Sequence, residues 1–377
     1  MYSEEHNIFR EAFRNFVQKE ISPHVDDWEK NVAIPREFWN KMGAEWYLCP
    51  WLPEEYGGSG ADLLYSVIVA EELIKGGAVS FMTSFHGDIV APYIFNMGND
   101  EQKKKWLPGC ASGEIVLALA MTEPDAGSDL AGMRTRAERD GDYYVLNGAK
   151  TFITNGIYAD LVIVACRTDK DAKGTKGLSL ICVERDTPGF TKGNKLKKMG
   201  LCASDTAELF FDDCRVPVTN LLGEENKGFY SLMEHLQQER LMCAVQSQAM
   251  AEKMLEITLE YTKERKQFGK PICSFQHNAF KIVDMLTDIK LGRAFIDNLI
   301  QRHMRNENVV DEVSMAKAWV GEMANRVAYQ CVQLHGGYGF MSEYPISRYY
   351  RDIRPFSIFA GTTEIMKQIV AKNIGLM

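Results

Sequence analysis

"YYVLNGAKTFITNG", residues 143–156, decides how the chain is divided. Two runs rich in β-branched and aromatic residues flank Asn147-Gly148, and that pairing predicts a tight two-residue hairpin. Around it lie "VLALAMT" (116–122), "LVIVACR" (161–167), "LSLICVER" (178–185) and "TAELFFDD" (206–213). They are short apolar runs at regular spacing, punctuated by "DTPGF" and "RVPVTN". Together they predict a β domain over residues 116–222.

On both sides the hydrophobic period is that of a helix. Phe9, Phe13 and Phe16 recur at spacings of four and three near the start. "LYSVIVAEELIKGG" (64–77) carries an apolar stripe and stops at paired glycines, a good helix end. "NDEQKKKWLPGCASGE" (99–114) reads as a short polar-faced helix running into a Pro-Gly turn. Beyond "LLGEENKGFY" (221–230), Ile282, Leu286, Ile289, Ile296 and Ile300 recur at intervals of four, three, seven and four, a bundle-type seam. The chain therefore divides into a helical domain (1–115), a β domain (116–222) and a second helical domain (223–377). No internal repeat or low-complexity stretch interrupts this order.

The bulk numbers bound the function. With 377 residues, 46% of them apolar, the chain can bury several cores. A net charge of −8 argues against a nucleic-acid partner. No apolar run reaches 18 residues, so no membrane span is expected. No secretory signal opens the chain. The nine cysteines are scattered without a CxxC pair and read as reduced, buried thiols of a cytosolic protein.

Several stretches carry chemistry. "MTEPDAGSD" (121–129) is either an ordinary inter-strand loop or a ligand cradle, with hydroxyls on Thr122 and Ser128 and backbone approach at Gly127. Strand alternation places Phe152 and Thr154 on one face, an aromatic ring beside a hydroxyl. "ERKQFGK" (264–270) sets Arg265, Lys266 and Lys270 around Phe268, as a phosphate contact or a solvated charge run. "QLHGGYGF" (333–340) allows either ligand approach or close helix packing, and lacks the GK[ST] ending of a phosphate P-loop. His335 reads as a packed turn histidine. In "HLQQERLMCA" (235–244), Glu239 shares a helix face with Leu236 and Cys243, so its carboxylate must be paired, neutralised or used. "FSIFAGTTEIMK" (356–367) holds a Gly-Thr-Thr turn preceded by Ala360, which has no titratable group. No metal-ligand motif, no GxSxG and no GxGxxG at a strand–helix junction is present.

Taken in order, "MTEPDAGSD", "LNGAKTFITNG", "MGLCASDTAELFFDDCRVP", "QERLMCA", "RKQFGK", "QLHGGYGF" and "AGTTEI" resemble the acyl-CoA dehydrogenase family over essentially the whole chain. The likeness is nearest to the long-chain and isovaleryl branch. It implies an α+β multidomain fold: an N-terminal helical domain, a middle β-barrel or sandwich domain and a C-terminal four-helix bundle. It implies a homotetramer with FAD, acyl-CoA as substrate and electron-transfer flavoprotein as acceptor. By position, Met121, Thr122, Gly127 and Ser128 would line the flavin and its phosphates, with Phe152 and Thr154 over the ring. Arg265, Gln267, Phe268, Gln276, Gln333, Gly336 and Gly337 would reach the FAD of a neighbouring subunit, and Thr362 and Glu364 would complete the site. The chain departs from the family pattern at Gln267, where many members carry a hydroxyl, and at Glu364, where many carry Gln.

Many members also carry their catalytic glutamate where Ala360 stands. The long-chain and isovaleryl branches place it on the helix bearing "ER", which makes Glu239 the implied base. Substrate contacts would come from Ser128, Arg240, Ala360 and Gly361, the thioester oxygen lying on the backbone N–H at Ala360. The implied reaction takes an acyl-CoA to its trans-2-enoyl-CoA, with hydride passing to flavin N5. "FMTSFHGDIVAPYIF" (81–95) resembles the helix lining the acyl tail, with Asp88 expected to face solvent. A straight medium-to-long acyl chain comes first and a branched or cyclic one second. The alternatives are a flavoprotein oxidase or monooxygenase on the same fold, a carrier-protein-bound acyl dehydrogenase and a non-catalytic acyl-CoA-binding flavoprotein. A cytoplasmic location is expected, or the mitochondrial matrix if a transit peptide was removed.

Overall fold

The computed structural model describes residues 1–172 and 174–377. Six helices come first: α1 (Glu4–Phe16), α2 (Val25–Asn31), α3 (Glu37–Ala44), α4 (Leu63–Lys75), α5 (Ala91–Met97) and α6 (Asp100–Ser112). Eight strands come next: β1 (Leu117–Ala120), β2 (Arg136–Asp140), β3 (Tyr143–Thr154), β4 (Leu161–Arg167), β5 (Leu178–Glu184), β6 (Phe190–Lys195), β7 (Thr206–Pro217) and β8 (Leu221–Leu222). Then come α7 (Gly228–Glu264), a hairpin of β9 (Lys266–Gln267) and β10 (Lys270–Pro271), α8 (Gln276–Met304), α9 (Val310–His335), α10 (Pro345–Asp352) and α11 (Thr363–Asn373).

Asn147-Gly148 does not turn the chain. β3 runs straight through it for twelve residues, and the actual β2–β3 turn is at Gly141-Asp142. The pair forms a bulge instead, where the β3–β7 register shifts between Leu146 and Gly148. Asn147 exchanges two hydrogen bonds with Asp213 of β7, at 3.1 and 3.0 Å. Gly148 takes φ +148°, and a Cβ there would sit 2.5 Å from Thr135 Oγ1. The glycine is required, as the hairpin rule supposes, but for a bulge that only the partner strand defines. A second register shift between Lys150 and Ile153 leaves Phe152 at φ +59°.

The strands pair in the order β6-β7-β3-β2-β4-β5-β8, with β1 parallel to β4. β2 and β4 meet only at Arg136 and Arg167, so the sheet is hinged there. Tyr144, Leu146, Leu209 and Val216 of one half share a core with Val162, Val164, Ile181 and Val183 of the other, which is sandwich packing. The opposite face of β4 and β5 (Ile163, Leu180, Cys182) joins the core of the N-terminal helices. Both faces being covered explains their unbroken apolar runs.

Pro108-Gly109 lies inside α6 and makes no turn. The helix is opened by a reciprocal cap between Asn99 and Gln102 and closed by left-handed Gly113. Pro108 is on its exposed side, where the carbonyl it leaves unpaired is open to water. In α8, Ile282, Ile289, Ile296 and Ile300 are buried, but Leu286 faces outward and Met285 fills the seam. Spacings of three and four both fit one stripe, and the facing helices choose between them. No described helix is long and apolar enough to cross a membrane.

Candidate active site

Glu239 sits in the first third of α7 at 6% exposure, and its Oε2 has no hydrogen-bond partner among the described residues. Burial pushes its carboxyl up to about 7, against the opposing pull of Arg240 and Lys317. Arg240, next along the helix, makes no hydrogen bond to that oxygen, because successive helical residues point about 100° apart. Arg240 is itself buried, with its Nε unpartnered. Tyr93 of α5 is fully buried with an unpartnered hydroxyl, its ring stacked on His235 at 4.4 Å.

The Ala360–Gly361 turn belongs to the same place. Both residues are left-handed, at φ +51° and +85°, an arrangement unfavourable for alanine. Thr362 comes next as the N-cap of α11, its hydroxyl accepting from Ile365 N at 3.2 Å. Lys317 of α9 donates from Nζ to the Gly361 carbonyl and lowers the Glu239 carboxyl by its charge. Lys317 thus bonds the turn directly and acts on Glu239, about 120 residues from that turn in sequence, only by its charge. Glu364 is exposed, its carboxyl held below the usual range by its own amide and Thr362.

Asp88 does not face solvent. It is 4% exposed, in a π-helical segment (Phe85–Val90), and burial raises its carboxyl to about 6. Ser66 and Ser84 temper that shift, though neither hydroxyl makes a bond of good geometry. A cleft of about 530 Å³ opens here, between Asp88, Ile89 and Asn96 on one wall and Gln237, Gln238 and His303 on the other. Gln238 Nε2 donates to the Asp88 carbonyl at 2.7 Å, so Glu239's neighbours form its inner wall.

The 121–129 loop is fastened to β3. Lys150, fully buried, donates to the Met121 carbonyl at 3.0 Å and to Glu123 Oε1 at 2.8 Å. Glu123 also accepts from the amides of Arg134 and Thr135, at 2.6 and 2.9 Å. Burial lowers the Lys150 ammonium, while that ammonium and the amides hold Glu123 below the usual carboxylate range. Thr151 N donates to the Thr122 carbonyl at 2.9 Å. The amides of Gly127 and Ser128 find no acceptor among the described residues, and a side chain at Gly127 would meet nothing within 4 Å. Phe152 is 68% exposed beside half-buried Thr154, an open aromatic platform made by the bulge and not by regular alternation.

A second cluster forms far away. Arg265, Gln267, Gln333, Gly336 and Gly337 line one cleft of about 480 Å³, with the Arg265 guanidinium 5.4 Å from the centre of the Tyr338 ring. Side chains at Gly336 and Gly337 would meet nothing within 4 Å, leaving backbone open to a ligand. Phe268 stands at the hairpin tip at φ +51° and 92% exposure, outside the cleft lining, and Gln276 is exposed at the start of α8. His335 is buried, its Nδ1 hydrogen-bonded to the Cys331 carbonyl at 2.8 Å. Glu239 and Arg265 are joined by one continuous helix, 26 residues apart, or about 39 Å at about 1.5 Å per residue.

Sequence reasoning missed Lys317, Glu123 and Lys150. Glu123 and Lys150 fall within quoted stretches, but only the fold reveals their pairing. Lys317 had a signal, a lone lysine among small apolar residues in "SMAKAWVG".

The order of a helical, a β and a second helical domain is the one the comparisons also give. The acyl-CoA dehydrogenase N-terminal, middle and C-terminal domains match residues 3–114, 118–214 and 226–375. The mitochondrial long-chain specific acyl-CoA dehydrogenase of Sus scrofa is 48% identical over 375 residues, covering 99% of this chain and 87% of that protein. An acyl-CoA dehydrogenase of Bacillus subtilis (strain 168) is 40% identical over 373 residues, covering 99% and 98%. The crystal structure of acyl-CoA dehydrogenase from Geobacillus kaustophilus superposes with TM-score 0.98 at 57% identity, covering 99% of each chain. The chain belongs to the acyl-CoA dehydrogenase family of flavin-dependent oxidoreductases.

Proposed function

We propose that the chain removes the α and β hydrogens of an acyl-CoA thioester, giving the trans-2-enoyl-CoA, with Glu239 as the base. The observation that carries this reading is a buried carboxylate with a free oxygen, raised to about 7, under the charge of the lysine that bonds the Ala360–Gly361 turn. The α-proton of a thioester is weakly acidic, so its removal needs a carboxylate strengthened by burial and donors for the enolate oxygen. The backbone N–H of Ala360 is assigned that oxygen; a methyl side chain leaves the amide available. Arg240 and Ser128 are assigned to the CoA portion.

FAD is the assigned cofactor, and the residues suit it. Free amides at Gly127 and Ser128 and the Phe152 platform match a flavin and its phosphate in one chain, with Met121, Thr122 and Thr154 beside them. Arg265, Gln267, Gln333, Gly336 and Gly337 offer a cation, amides and open backbone suited to a pyrophosphate. The separation of about 39 Å along α7 between Glu239 and Arg265 supports assigning this second set to the FAD of another copy. Phe268, with Gln276 behind it, extends that contact, and Thr362 and Glu364 close the site. A left-handed aromatic at 92% exposure favours burial against a neighbour, in keeping with a homotetramer. Bound FAD supplies the acceptor for the β-hydrogen, and electron-transfer flavoprotein is the family's acceptor for those electrons.

A straight medium-to-long acyl chain is the first reading of the tail. Asp88 gives a specific reason for a second: it borders the cleft and its buried Oδ1 lacks a partner among the described residues, which favours a tail bearing a hydroxyl. Adding a panel of acyl-CoAs anaerobically to the yellow protein tests the reaction and ranks the tails by rate of flavin bleaching. Glu239→Gln should keep the flavin and lose about two to four orders of magnitude in turnover. Near-normal turnover in that variant removes Glu239 from the role.

A further inference from the structure

We propose that Lys317 is a positioning residue for this dehydrogenation: its buried ammonium clamps the Ala360–Gly361 turn and so stays unpaired from Glu239, leaving that carboxylate free to take the proton. The inference rests on the assignment of Glu239 as base.

Lys317 is 1% exposed, in a helix stretch where Val313, Ala316, Ala318 and Val320 are also buried. A lysine buried there costs several kcal/mol in lost hydration unless something compensates. Its one hydrogen bond among the described residues goes to the Gly361 carbonyl. Burial and the Arg240 charge lower its affinity for a proton; Cys243, Glu239 and Glu364 pull the other way without reversing the shift. The clamp acts on a turn that needs one. Ala360 holds a left-handed φ without being glycine, and the cap at Thr362 fixes only the start of α11. Fastening the Gly361 carbonyl to α9 sets the orientation of the turn, including the amide assigned to the thioester oxygen.

The electrostatic half comes from where the ammonium is not. Lys317 makes no ion pair with Glu239, whose Oε2 stays without a partner. A direct pair would lower the carboxylate by roughly 1–3 pH units and occupy the oxygen that must take the proton. Held on Gly361, the charge favours the carboxylate without blocking it. The groups facing Glu239 are Arg240 and Cys243 from α7, Tyr93 from α5 and Lys317 from α9. Arg240 and Lys317 are the cations among them, so removing Lys317 leaves burial less opposed.

The test uses the flavin-bound protein, lauroyl-CoA as substrate and ferrocenium as electron acceptor, from pH 6 to pH 9. Lys317→Gln keeps a donor for Gly361 and removes the charge. Its kcat/KM profile should move on the acidic side to higher pH by about half a unit to one unit, with KM at pH 9 within about twofold of the parent. Lys317→Met removes both, and should add a drop of about tenfold in kcat at the high-pH plateau. Flavin content and unfolding midpoint are measured on each variant; if the Met variant loses flavin, the Gln variant decides. A Gln profile superposed on the parent's overturns the proposal while leaving Glu239 as the base, provided Glu239→Gln is inactive. A Met plateau equal to the Gln plateau overturns the clamp. Full turnover in Glu239→Gln overturns both assignments.

Discussion

Glu239→Gln should make the protein more stable while destroying its activity. The carboxyl is pushed from its ordinary value of 4.5 up to about 7 by burial, so the folded chain holds a proton that the unfolded chain releases. Its contribution is fully present below about pH 4.5 and is lost as pH rises through about 7. At pH 8 the ionised group opposes folding by about 3 kcal/mol. Glutamine removes that term and adds the cost of an unpaired buried amide, about 1 kcal/mol. The net gain is about 2 kcal/mol, worth roughly 4–8 °C for a folding unit of this size. At pH 5 the two terms nearly cancel. Thermal unfolding of flavin-bound parent and variant at both pH values measures the difference. A variant no more stable than the parent at pH 8, or equally stabilised at both, refutes the reasoning, because the carboxylate is then solvated or paired in the folded state.

The geometry sets two other outcomes. Lys150→Met should cost about 3–5 kcal/mol, since it strands a buried Glu123 and the Met121 carbonyl; adding Glu123→Gln should recover part of it in urea unfolding, and equal losses in both variants count against the pair. In the parent, kcat/KM should fall as pH drops below about 7, where Glu239 takes up a proton; a profile flat down to pH 5 assigns proton abstraction elsewhere.

The division of the chain was legible because periodicity is local. "LVIVACR" and "LSLICVER" announce buried strands by themselves, and the Glu239 helix announces a carboxylate where none is comfortable. The readings that failed depended on partners. Asn147-Gly148 is a hairpin signal by its neighbours in sequence and a bulge by its neighbour in space, Asp213. Leu286 and Met285 fit one stripe equally well until α7 and α9 choose. Pro108 ends helices as a rule, but here its exposed side tolerates the lost bond. Asp88 is buried by the turn of a π-helical segment that no hydrophobic pattern marks. Lys317 was visible as an oddity, but its meaning lay in a carbonyl 44 residues away.

The length of α7 carries a consequence for mixed assemblies. Because one rod holds the base at one end and the Arg265 cleft at the other, damage to the two ends is separable by chain. On the proposed assignments, a copy lacking Glu239 would still lend its Arg265 cleft to a neighbour, and a copy with a ruined cleft would still bring its own base. Co-expressed, two such inactive chains should complement each other, their joint activity counting the sites at which an intact base faces an intact lender.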